Sequence, residues 1–104
     1  YFIGSSELER MKPSAILVNT ARGGLVDTTA LAKALQGGEI GFAGLDVFEE
    51  EPLDMEHPLW NCGNAFLTSH TSWYSEESVP KLQELAAEEA VRGLRGESLK
   101  NRVN

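Results

Sequence analysis

Short, continuously apolar runs alternate along this chain with segments of helical periodicity, and that alternation constrains the fold more than any other feature. Ala15-Ile-Leu-Val18, Phe42-Ala-Gly-Leu-Asp-Val-Phe48 and Ala65-Phe-Leu-Thr68 are each too short for a buried helix. Runs of this kind suit strands buried on both faces, as in a parallel sheet. Between them, Asp27 is placed to cap a helix from Thr28 to about Gln36. Leu31, Ala32 and Leu35 lie on one side of it, and Gly37-Gly38 offers a left-handed exit. A short helix is expected from Ser6, through a Ser6–Glu9 capping box, to about Met11. A long one is expected from Ser75 to about Arg95, with a stripe of Val79, Leu82, Leu85, Ala86, Ala90 and Leu94. Helix alternating with apolar strand reads as α/β with a parallel sheet.

In such sheets ligands bind beyond the carboxyl ends of the strands. There the three runs deliver different chemistry. The first is followed by Arg22-Gly-Gly24, the second by Glu49-Glu-Glu-Pro52, and the third by Ser69-His70. A cation for an anionic group, a carboxylate and an imidazole are the parts of a general acid/base site for an anionic substrate.

Bulk properties narrow the partners. With 104 residues, 41% hydrophobic and 24% charged, the chain has the size and balance of one small globular domain. A net charge of −7 argues against nucleic acid and anionic membrane as partners, since both demand a basic face. The single cysteine, Cys62, forms no internal disulfide, and no signal-peptide pattern occurs, so the expected compartment is the reducing cytoplasm. Tyr1 is not a natural start, so the protein is expected to extend upstream. No cysteine lies at zinc spacing to either histidine, and no metal site is expected.

Several residues carry two readings each. Arg22 either grips a carboxylate in bidentate fashion or is a surface arginine paired with an acid such as Asp27. Gly23 and Gly24 let the backbone turn sharply and approach a ligand. Asp46 lies inside an apolar strand, which is costly without a partner, so it either binds a ligand amide or caps a neighbouring loop. The acidic run Glu49–Glu51 reads as solvated loop for two of its three members. Glu51 stands out because Pro52 fixes the backbone beside it, and a carboxylate against an imidazole stabilises the imidazolium and fixes its tautomer. His70 is marked by its position at a strand end, whereas His57 reads as packing or surface. Trp73 is either core or the wall of a pocket.

Together the blocks Met11–Asp27, Gly44–Pro52 and Leu67–His70 resemble the D-isomer-specific 2-hydroxyacid dehydrogenases, which depend on a nicotinamide cofactor. The resemblance covers essentially the whole chain. It implies the second half of a Rossmann-type doubly wound parallel sheet, three-layer α/β/α. Residues 1–95 would be the C-terminal half of the NAD-binding domain, and 96–104 a tail returning toward a substrate domain. It implies that Arg22 binds the substrate carboxylate and carbonyl, that His70 is the acid/base, and that Glu51 is its paired acid. Asp46 would orient the nicotinamide carboxamide, and Thr20, Ala21, Arg22, His70 and Ser72 would line the cofactor. Arg22, His70 and Trp73 would form the substrate pocket. The cofactor implied is NAD, with NADP not excluded, the substrate a small 2-hydroxy or 2-keto acid, and the assembly a homodimer.

Within that family, His70–Glu77 and Ser98–Asn104 look most like the C-terminal-binding-protein group, which includes corepressors as well as dehydrogenases. An NAD(H)-sensing binding protein and an inactive oligomerisation remnant are therefore the competing functions. Ser69 departs from the family, most of whose members have proline before the histidine. No Gly-x-Gly-x-x-Gly occurs in the chain, so the pyrophosphate cradle is not encoded in it. Half a doubly wound sheet is also expected to expose an edge and an apolar face.

Overall fold

The computed structural model describes residues 1–103; Asn104, the last residue of the expected tail, lies outside them. The chain separates into two compact units, Tyr1–Ser72 and the segment from Trp73 onward.

The first unit holds a parallel sheet of β1 (Ile16–Asn19), β2 (Phe42–Leu45) and β3 (Ala65–Leu67), in that order. Val18 stands opposite Gly44, and Gly44 opposite Phe66. Two helices belong to this unit, α1 (Ser5–Leu8) and α2 (Thr28–Gln36). The strands are parallel, so all three deliver their following loops to the same end of the sheet.

Why α2 begins and ends where it does is clear from its sequence. The Asp27 carboxylate accepts the Ala30 N–H at 2.8 Å, closing the first turn. Beyond Gln36, Gly38 takes a left-handed φ of 70°, open to glycine at no steric cost. The buried face of α2, Leu31 and Leu35 among it, packs in one cluster with Leu8, Ile40, Ala43 and Leu45.

The sheet departs from expectation in one respect. Side chains alternate across a strand. Ala43 and Leu45 face the core, while Ile16, Val18 and Phe66 are 68, 68 and 64% exposed. The helices of this unit therefore cover one face, and the strands are not buried on both sides. This is the bare apolar face expected of half a doubly wound sheet. A continuously apolar run shows that both faces are apolar, not that the same chain covers both.

Element ends shift for local reasons. The capping box sits two residues early: Glu7 accepts the Gly4 N–H at 2.9 Å, and α1 stops at Leu8. β2 ends at Leu45, because from Asp46 the chain turns to loop. In the second unit the long helix, α3 (Ser78–Leu94), starts three residues later than expected. Ser75 and Ser78 exchange backbone-to-hydroxyl bonds of 2.8 and 3.0 Å, so the serine signal closes a turn ahead of the helix. Gly96, at φ 69°, ends α3 as expected. Among the described residues no helix is long and apolar enough to cross a membrane.

Candidate active site

The loops after β1, β2 and β3 gather at the carboxyl end of the sheet. The first is shaped by Asn19, which sequence reasoning passed over. Its buried side chain accepts the Ala21 N–H at 3.1 Å and donates to the Arg22 carbonyl at 3.0 Å, closing the Thr20–Arg22 turn. A polar residue ending an apolar run was the available signal. Arg22 is exposed, and its guanidinium donates to the Ala21 carbonyl at 2.7 Å. The expected alternative partner, Asp27, instead caps α2.

Gly23 approaches protein rather than a ligand. A Cβ at this position would stand 1.8 Å from the Phe48 carbonyl oxygen, so only glycine lets the first loop lie against the second. Gly24 has nothing within 4 Å of such a Cβ. One of the two glycines thus ties the arginine loop to the carboxylate loop.

In the second loop the Glu51 carboxylate is divided between two partners. One oxygen accepts the Phe48 N–H at 3.0 Å. The other lies 2.8 Å from His70 Nδ1. The His70 bond and then the Phe48 N–H hold the Glu51 carboxyl below the ordinary carboxylate range, against the smaller opposing effect of burial. The carboxylate stays ionised beside the imidazole and favours an N–H on Nδ1.

His70 itself has a φ of 56°, the left-handed region that non-glycine residues rarely adopt. Strain of this kind costs about 1–3 kcal/mol and persists only when the surroundings impose it. Asp46 imposes it. Its carbonyl accepts the His70 N–H at 2.8 Å. Its side chain accepts the Thr71 and Ser72 N–H groups at 2.8 and 2.9 Å, and the Thr68 hydroxyl. Burial alone would push the Asp46 carboxyl up, but the bonds from Thr68, Ser72 and Thr71 outweigh it and hold the group far below the usual range. Asp46 thus caps the loop that follows β3.

In the acidic run Glu49 and Glu50 are exposed, as expected, but Glu49 is also bonded. Glu49 accepts the Thr28 N–H at 2.9 Å and the Thr28 hydroxyl at 2.6 Å. His57 Nε2 lies 3.2 Å from that hydroxyl, while its Nδ1 accepts the Leu59 N–H at 3.2 Å. His57 is thus a packing residue, as expected, though with specific bonds that no sequence spacing revealed.

The structure brings Glu51 and His70 into contact and sets Asp46, Thr71 and Ser72 around them. Beside the pair is a cavity of about 620 Å³ whose apolar lining includes Phe48, Leu53, Trp60 and Leu67. Arg22 and Trp73 are not in that lining. Trp73 belongs to the second unit, where it is exposed and meets Tyr74 edge to face at 5.5 Å.

Residues 1–72 match the model of the D-isomer specific 2-hydroxyacid dehydrogenase family, NAD binding domain. The chain belongs to this family. A glyoxylate reductase of Aeropyrum pernix is 48% identical over 104 residues, all of this chain and 31% of the relative. The crystal structure of D-lactate dehydrogenase with NAD+ from Lactobacillus jensenii is 32% identical, with a TM-score of 0.79 over 98% of this chain and 34% of that one. A D-isomer specific 2-hydroxyacid dehydrogenase from Xanthobacter autotrophicus, in complex with NADPH and MES, is 35% identical, with a TM-score of 0.84 over 99% of this chain and 42% of that one. The chain therefore spans about a third of the length of the glyoxylate reductase it matches. What it holds of the fold is part of an NAD-binding domain of Rossmann-like α/β type.

Proposed function

We propose that this chain is part of an NAD(H)-dependent oxidoreductase that interconverts a small 2-keto acid and a D-2-hydroxy acid. The observation that carries the reading is the 2.8 Å contact of His70 Nδ1 with Glu51 at the carboxyl end of a parallel sheet. The exposed strand-end residues Thr20, Ala21, His70 and Ser72 suit the nicotinamide end of the cofactor. Nothing in the sequence suits the pyrophosphate, which needs a glycine-rich turn. When bound, the cofactor supplies or accepts the hydride.

The residues divide the remaining work. His70 exchanges a proton between Nε2 and the substrate oxygen, while ionised Glu51 stabilises the imidazolium. Arg22 binds the substrate carboxylate once its guanidinium turns from the Ala21 carbonyl. Asp46 acts beside the nicotinamide through the Thr71–Ser72 backbone that it holds. Residues 73–95 continue the NAD-binding domain before the tail. Since the relative from Aeropyrum pernix is a glyoxylate reductase, glyoxylate is the first substrate to assay. NAD(H) is the first cofactor to try, with NADP(H) as comparison. The assembly we propose is a cytoplasmic homodimer, in which Cys62 remains a buried free thiol.

The test is steady-state reduction of glyoxylate by an enzyme of the relatives' length that contains this sequence. His70→Ala should lower kcat by about 10²–10⁴-fold, the usual worth of a general acid. Turnover unchanged by that substitution would overturn the reading.

A further inference from the structure

Glu51 works only if its two oxygens are aimed differently, and the group that aims them is the Phe48 N–H. What holds Phe48 is therefore part of the site. Gly23 presses on the Phe48–Glu49 peptide from one side. On the other side Glu49 is bound by the first residue of α2, through both the Thr28 N–H at 2.9 Å and its hydroxyl at 2.6 Å. The Thr28 amide is one of the helix-end donors with no partner inside the helix, and the positive end of the helix favours a carboxylate there. Thr28 is itself 2% exposed and so cannot drift.

The direction of the remaining bonds is fixed by elimination. His57 Nδ1 accepts the Leu59 N–H, so in the neutral ring the proton is on Nε2. Nε2–H then donates to the Thr28 oxygen, and the Thr28 hydroxyl is turned to donate to Glu49. The chain Leu59–His57–Thr28–Glu49 has one donor and one acceptor at every link.

We propose that Thr28, Glu49 and His57 are positioning residues for the Glu51–His70 pair, fixing the Phe48–Glu51 loop so that the Phe48 N–H takes one Glu51 oxygen and leaves the other for the imidazole. The inference rests on the reading of that pair as the acid/base unit. It concerns residues that touch neither substrate nor cofactor.

The experiment needs no substrate. In the 104-residue chain, the Glu51 side-chain carboxyl is followed by carbon-13 NMR through an acid titration, in the natural sequence and in Thr28→Val and Thr28→Ser. Valine keeps the shape of threonine and removes the hydroxyl. We expect the Glu51 midpoint to climb toward the ordinary carboxylate range in Thr28→Val and to stay low in Thr28→Ser. A folded Thr28→Val chain with the natural Glu51 midpoint would overturn the proposal. Should Thr28→Val not fold, Glu49→Gln decides on the same readout. Its side chain is exposed, so its loss leaves the core intact, and the same rise is expected. Failure here leaves the effect of His70→Ala on turnover untouched, so the two readings fail separately.

Discussion

His57 and His70 use the same ring atom in opposite ways: Nδ1 of His57 accepts an N–H from Leu59, whereas Nδ1 of His70 faces the Glu51 carboxylate. One ring is locked with its proton on Nε2 and the other with its proton on Nδ1. The first arrangement seals a structural network and leaves nothing to exchange. The second ties His70 to a carboxylate at the carboxyl end of the sheet. The two histidines thus differ in the partner of Nδ1.

Those partners predict opposite tautomers in the neutral rings. Long-range proton–nitrogen correlation at alkaline pH separates the two forms, and the chain has only 2 histidines to assign. His57 should show the Nε2–H pattern and His70 the Nδ1–H pattern. Glu51→Gln should convert His70 to a mixture and leave His57 unchanged. The same tautomer at both residues would contradict the geometry.

How far this was legible in the sequence depends on the range of the interaction. α2 was placed correctly at both ends, because Asp27 and Gly37-Gly38 act within a turn of themselves. The strands were found because apolar runs are local, and one face is bare, as expected of half a doubly wound sheet, since covering a face depends on distant chain. At the site, Pro52 and the family resemblance pointed to Glu51 as the partner of His70, and the 2.8 Å contact is what joins them here. The network that joins Thr28, Glu49 and His57 went unread. Its bonds span 21 and 29 positions, and no spacing rule links a helix start to an acidic run that far away.

Gly23 and Gly24 are adjacent in sequence and opposite in consequence. A methyl group at Gly23 would overlap the Phe48 carbonyl, which is backbone and cannot rotate aside. Gly23→Ala should therefore cost about 1–3 kcal/mol, the usual penalty for overpacking, and should also disturb the Glu51–His70 contact. Gly24→Ala meets open space and should change stability by less than about 0.5 kcal/mol. Urea unfolding of the two variants checks both figures. Equal effects would mean that the first and second loops do not touch.

Asp46 makes the site sensitive to acid. Its folded-state carboxyl lies below its ordinary value of 3.8, so the unfolded chain takes up the proton first as pH falls. The stabilisation is complete well above 3.8 and is lost progressively as the pH drops below it. Asp46→Asn replaces an acceptor of several N–H and O–H donors by a group that is itself partly a donor. The variant should be less stable at neutral pH, and its stability should fall less steeply between about pH 4 and pH 2. Acid unfolding followed by circular dichroism would show this. Parallel curves for the two proteins would mean that Asp46 is not bonded as described.

The open sheet face predicts self-association. Ile16, Val18 and Phe66 are all more than 60% exposed, and the register places Val18 and Phe66 on either side of Gly44, which adds no side chain between them. Adjacent apolar side chains on one sheet face form a contiguous patch, and soluble monomers rarely leave such a patch bare. The 104-residue chain should therefore sediment at micromolar concentration as a dimer or larger species. Val18→Thr with Phe66→Thr puts β-branched threonine, which suits strands, at both positions while making the face polar. That double variant should shift toward monomer without loss of folded signal, because neither side chain belongs to the core cluster. A natural chain that is monomeric and stable under the same conditions would show that this face needs no cover, and would remove the physical ground for the homodimer.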